Sequence, residues 1–200
     1  MSAQIGGVIL AGGRSTRMGR EKALIELVGR PVIERVIERL SPQVGQLAIS
    51  ANGDTARFAD FGLPVVADTN HKPGEEGPLA GMVAGLEWGL LEGLTHVVFT
   101  PSDAPFVPED LVERLGADDV AVTVAESKTG LEPLFSLWPT HTLEIVRKLY
   151  AQGERAPRKV IGKLAHRVVT FETDPGSVDP FFNLNRPDDI AAAEFWIKGW

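Results

Sequence analysis

The sequence of 200 residues predicts an α/β protein, a three-layer α/β/α sandwich built on a mostly parallel mixed sheet. Three observations predict it. Short apolar runs alternate with amphipathic segments along the chain. Two of the runs, residues 7–11 (GVILA) and 96–100 (HVVFT), are apolar at consecutive positions, as central strands covered on both faces are. Between them lie segments whose apolar residues recur at helical spacing.

Taken in order, residues 7–11 form the first strand. Residues 31–40 (PVIERVIERL) form a helix, with Val32, Ile33, Val36, Ile37 and Leu40 on one face and Pro31 in the first turn. A strand at 47–51, a short helix at 55–61 and a short strand at 65–67 follow. Residues 79–91 have a helical pattern, 96–100 are the second strongly apolar strand, 108–115 a helix and 120–125 a strand. Beyond Gly130 the pattern is weaker: strand at 134–138, helix at 140–152, strand at 168–172 and a terminal helix at 188–200. No boundary stands out, so residues 1–200 are expected to form one domain.

Apolar residues make up 44% of the chain and charged residues 24%, enough to bury a core without staples. The absence of cysteine excludes disulfides, thiolate-bound zinc and iron–sulfur clusters. No apolar run approaches the roughly 18 residues that cross a bilayer, and the opening residues lack a basic n-region. A cytoplasmic protein without membrane association is expected. A net charge of −7 argues against nucleic acid as a partner. An anionic ligand would need a local cationic pocket or a metal.

Such a pocket is encoded directly after the first strand, in LAGGRSTRMGREK at residues 10–22. Gly12, Gly13 and Gly19 let the backbone N–H groups turn inward and cradle phosphate oxygens. Arg14, Arg17, Arg20 and Lys22 concentrate positive charge in an otherwise acidic chain. An ordinary βα turn with solvated arginines is the bland alternative. The spacing matches neither a Walker A loop nor the dinucleotide fingerprint. The second strongly apolar strand ends in PSDAP. This places Asp103 at the carboxyl end of a strand, where open α/β sheets bind ligands. A carboxylate there suits Mg²⁺, which takes a few protein oxygens and completes its shell with phosphates; a turn aspartate is the alternative.

The order GG-x-S-x-RMG-x-x-K, followed by P-x-D-x-P, resembles the nucleotidyltransferases that activate sugars and cofactors. It is most similar to the molybdenum cofactor guanylyltransferases and their cytidylyltransferase relatives. The resemblance implies a Rossmann-like nucleotidyltransferase fold and transfer of GMP from GTP to molybdopterin with release of pyrophosphate. It implies Mg²⁺ on Asp103, and Lys22 and Arg17 as catalytic cations. Leu10, Ala11, Gly12, Gly13, Lys22, Asn52, Asp68 and Asp103 would contact GTP. GPLAG at 77–81 is a further match. In FFNLNRPDD, Asn183 and Asn185 match an N-x-N-x-P element and would lie on the side of the second substrate or the metal. Proteins that deliver molybdopterin or accept the product would be transient partners.

Other features are set beside this reading. A basic island of Arg155, Arg158, Lys159, Lys163 and Arg167 is either a solvated face or a site for the second substrate. Glu132 precedes Pro133 where relatives often carry a histidine. The four histidines show no ligand spacing. The competing functions are a molybdopterin cytidylyltransferase, a sugar-1-phosphate nucleotidyltransferase and a non-catalytic nucleotide-binding regulator.

Overall fold

The computed structural model describes residues 4–12, 21–67, 77–119 and 121–199. Gly13, Arg14, Arg17, Gly19, Arg20, Asp68, His71, Val120 and Trp200 lie outside them. The described chain runs β1 (Ile5–Leu10), β2 (Glu26–Leu27), β3 (Arg30–Pro31), α1 (Val32–Leu40), β4 (Gln46–Ser50) and β5 (Val65–Val66). It continues as α2 (Pro78–Leu91), β6 (His96–Pro101), α3 (Leu111–Leu115), β7 (Val122–Ser127) and β8 (Gly130–Pro139). It ends with α4 (Leu143–Ala151), α5 (Pro157–Ile161), β9 (His166–Thr170) and α6 (Pro187–Lys198). Stretches of 3-10 helix occupy Lys22–Leu24 and Thr55–Phe61, among others.

Seven strands form one sheet in the order β5-β4-β1-β6-β8-β7-β9. Of these, β8 alone runs against the rest, pairing antiparallel with β6 and β7. The expected mixed, mostly parallel sheet is therefore present. Alternation along β1 sorts its side chains into two layers. Ile9 packs with Ile33, Val36 and Leu111 from α1 and α3. Val8 and Leu10 pack with Leu79, Met82 and Val146 from α2 and α4 on the opposite face. A smaller cluster seats α6, through Ala193, against Leu27, Val32, Phe106 and Leu184.

The face of α2 toward the sheet carries a stripe of glycines. A Cβ on Gly81 would stand 2.7 Å from Ser50 Oγ, on Gly85 2.6 Å from a Phe99 ring carbon and on Gly89 2.5 Å from Val97 Cγ2. Four-residue spacing aligns them on one side, and their missing side chains let the helix lie close to β1, β4 and β6. Gly85→Val is expected to destabilise the protein by about 1–3 kcal/mol through overpacking against Phe99. Urea denaturation would read this as a lowered midpoint; an unchanged midpoint would show that the sheet yields.

Four departures from the expected elements have identifiable causes. The strand expected at 134–138 extends back to Gly130, and its ladder to β7 shifts register between Val124 and Ala125. Pro133, which has no N–H to donate, falls in that bulge. The strand expected at 168–172 begins two residues earlier, because its exposed edge residues His166 and Arg167 break the apolar pattern. The basic island contains the short helix α5, whose buried Pro157, Val160 and Ile161 are interleaved with the charges. The hairpin of β2 and β3 turns through Val28 and Gly29, both at positive φ; a valine there gives no turn signal.

Candidate active site

Parallel β4, β1 and β6 end together. Their ladder continues past the strand ends: Ala11 N–H donates to Ser50 O (2.8 Å) and Ser102 N–H to Leu10 O (3.1 Å). The two loops that the sequence singled out, after β1 and after β6, thus leave the sheet side by side. Leu10, Ala11 and Gly12 from the first and Ser102 and Asp103 from the second line one cavity of about 210 Å³. Pro78 joins them at the start of α2, whose cap residue Gly77 makes no side-chain cap bond. The positive end of that helix therefore stands at the edge of the cavity.

Lys22 stands at the centre of the polar wall. Its Nζ donates to Asp103 Oδ2 at 3.0 Å and to Asn185 Oδ1 at 2.8 Å. The side chains of Lys22 and Asp103 are 22% and 18% exposed, so this pair is neither solvated freely nor sealed. The 3-10 turn Lys22–Leu24 presents the lysine. The C-terminal segment is tied in twice. Leu184 N–H donates to Asp103 O at 2.9 Å. Asp189 Oδ2 accepts from the N–H groups of Asn185 and Arg186, each at 2.7 Å, capping α6 and holding Asn185 at its start.

The remaining candidates sit differently. Asn52, just past β4, shares this edge of the sheet but does not line the cavity. Asn183 donates its amide to Phe181 O at 3.0 Å, and its Oδ1 is buried without a partner. Residues 182–185, which carry both asparagines, lie outside any strand. Gly13, Arg17 and Asp68 lie outside the described residues.

The basic island is engaged elsewhere. Arg155 lies over the Tyr150 ring at 4.2 Å, Arg158 donates to Leu131 O at 2.9 Å, and Arg167 donates to Leu115 O. Glu132 accepts from Ser127 Oγ at 2.7 Å within the β7–β8 hairpin. His96 is buried between Thr95 Oγ1 and Asp118 O. Among the described residues, no three His, Cys, Asp or Glu side chains cluster as a metal site, and no helix is long and apolar enough to cross a membrane.

Two residues that sequence reasoning missed belong to the same region. Glu21 lines the cavity, and Arg57 pairs with it at 3.5 Å. Burial pushes the Glu21 carboxyl above its ordinary value, partly countered by the Arg57 guanidinium. The quoted motif contained Glu21, but nothing in its spacing pointed to Arg57.

Residues 7–168 match the family model described as the MobA-like NTP transferase domain. The molybdenum cofactor guanylyltransferase of Rhodobacter capsulatus is 47% identical over 193 residues, covering 96% of this chain and 95% of the relative. That of Mesorhizobium japonicum is 42% identical over 201 residues, covering 96% of each. Among solved structures, molybdopterin-guanine dinucleotide biosynthesis protein A from Archaeoglobus fulgidus superposes with a TM-score of 0.74 at 23% identity, covering 94% of this chain and 96% of that one. A 4-diphosphocytidyl-2C-methyl-D-erythritol synthase from Anaerococcus prevotii reaches 0.75 at 13% identity, covering 98% and 97%, which is a likeness of fold. With the glycine loop, the strand-end aspartate and these relatives in one frame, the chain belongs to the MobA-like NTP transferase family and is a nucleotidyltransferase.

Proposed function

We propose that this protein transfers GMP from GTP to molybdopterin, forming molybdopterin guanine dinucleotide and releasing pyrophosphate. The observation that carries the reading is the convergence of Asp103 and Asn185 on the Lys22 ammonium, with Lys22 and Asp103 lining a cavity at the end of β1. The curated relatives named for the guanylyl reaction, at 42–47% identity over nearly the whole chain, support the substrates.

A divalent ion fits the donor set. Asp103 Oδ2 and Asn185 Oδ1 are hard oxygens that already meet at one positive charge, the Lys22 ammonium. With no third acidic or imidazole ligand clustered among the described residues, most of the ion's shell would come from phosphate and water, as Mg²⁺ favours. Asp103 and Asn185 would hold it, and its chemistry there would be to offset the charge of the phosphates.

The chain's own groups do the rest. The backbone N–H groups of Gly12 and Gly13 and the start of α2 would cradle the triphosphate, beside Leu10 and Ala11. Lys22 and Arg17 would bind phosphate oxygens and steady the departing pyrophosphate. Asn52 and Asp68 would meet the guanine side, and Asn183 and Asn185 the side of the second substrate. The nucleophile is a phosphate monoester, an anion at neutral pH, so alignment and charge neutralisation suffice without a strong general base. Residues 1–200 act as one nucleotidyltransferase domain, in the cytoplasm, with molybdopterin-delivering and product-accepting proteins as transient partners.

Pyrophosphate release, measured with molybdopterin, Mg²⁺ and each of the four ribonucleoside triphosphates, tests this. Highest kcat/KM with GTP and no release without Mg²⁺ are expected. Preference for CTP would overturn the substrate, and tight GTP binding without turnover would overturn the enzyme reading.

A further inference from the structure

We propose that Arg57, through Glu21, is a positioning residue that holds the guanine-side turn of the site in register with its phosphate-side corner. The inference rests on the reading above, in which Asn52 faces the base and Lys22 the phosphates.

The guanidinium is committed to both sides at once. From the 3-10 turn Thr55–Phe61, Arg57 Nη2 donates to Asn52 O at 3.0 Å and Nη1 donates to Asp54 O. These carbonyls bracket the turn that follows β4. The same turn is closed by Asp54 Oδ1, which accepts from Ala56 N–H at 3.0 Å. Arg57 Nε faces Glu21 Oε2 at 3.5 Å, an ion-pair distance beyond hydrogen-bond geometry. Phe58 supports the guanidinium from below, its ring centroid 4.7 Å from Cζ. Glu21 is a wall of the cavity and the immediate neighbour of Lys22, whose ammonium reaches Asp103 and Asn185.

Side-chain exposures of 23% for Arg57 and 27% for Glu21 leave the pair partly screened, so its contribution to stability is small. What it fixes is distance. The loop after β1 and the turn after β4 are separate covalent segments, and a ligand spanning a base and a triphosphate needs both in place together. A planar fork with several donors can grip two carbonyls and a carboxylate at once; a lysine ammonium cannot match that geometry.

The test compares two probes, GTP and inorganic tripolyphosphate, by calorimetry in the presence of Mg²⁺. Tripolyphosphate reports the phosphate corner alone. Arg57→Ala is expected to weaken GTP binding about tenfold, the size of one charge-assisted hydrogen bond, and to leave tripolyphosphate binding unchanged. Steady-state kinetics should show the loss in KM for GTP and little in kcat. Arg57→Lys should recover only part of it. Glu21→Gln, which keeps the shape and removes the charge, should move GTP affinity in the same direction. Combined with Arg57→Ala it should add less than the two single losses summed. Equal loss for both probes, or strict additivity, would overturn the positioning role. A wild-type protein that binds all four nucleoside triphosphates as it binds tripolyphosphate would overturn the base-side reading itself, and the two failures are thereby distinguished.

Discussion

Asp103→Ala is expected to lower kcat for pyrophosphate release by about 10²–10³-fold, the scale of losing one preorganised electrostatic group at a reacting phosphate. The fold should survive. Asp103 lies past the end of β6, its side chain is part-exposed, and the bond it contributes to the architecture is from Leu184 N–H to its backbone carbonyl, which alanine keeps. Asp103→Asn retains the shape and one oxygen but not the charge, and should lose nearly as much. Circular dichroism and a thermal melt beside the kinetics separate the two effects. Wild-type turnover in Asp103→Ala would remove the carboxylate from the chemistry.

Lys22→Ala carries the second large effect and a different signature. The ammonium is the polar group shared by Asp103 and Asn185, at 3.0 and 2.8 Å, and in the proposed complex it turns to phosphate. Loss of a hydrogen bond to a charged group, about 1.5–3 kcal/mol, corresponds to roughly 10–100-fold weaker GTP binding. The loss should appear first in KM and in direct titration of GTP. Because Lys22 is part-exposed, its removal leaves the Asp103 carboxylate reachable by water, so little change in unfolding temperature is expected. Unchanged GTP affinity would count against its role at the triphosphate.

The two variants together probe a corner whose members are far apart in sequence. Lys22 and Asp103 are separated by 81 positions and Lys22 and Asn185 by 163. The first separation was legible. Runs of consecutive apolar residues marked β1 and β6 as central strands, and neighbouring parallel strands deliver their following loops to one edge. Asn185 was legible only through family resemblance, since an asparagine just ahead of a helix beginning at Pro187 otherwise reads as a polar terminating residue. Residues 182–185 are irregular, and the Asn183 amide is taken by Phe181 O.

What escaped the sequence has a common character. The glycine stripe of α2 escaped because periodicity was sought in apolar residues, whereas here the periodic signal is the absence of side chains. Helix α5 spans five residues, too few for a hydrophobic period to emerge through its charges. The Glu21–Arg57 pair depends on β4 lying next to β1, a tertiary fact without a local signature. Motifs report groups that one loop carries whole; they are silent on pairs assembled from two loops.

In the proposed complex the end of β1, Lys22 and Asp103 serve one polyphosphate together with a divalent ion. Crystals soaked with Mn²⁺ and α,β-methylene-GTP, and measured for anomalous scattering, address it directly. The predicted result is a manganese peak within ligand distance of Asp103, with the triphosphate lying against Gly12 and Lys22. A fully occupied nucleotide elsewhere on the molecule, or a metal peak away from Asp103, would contradict it.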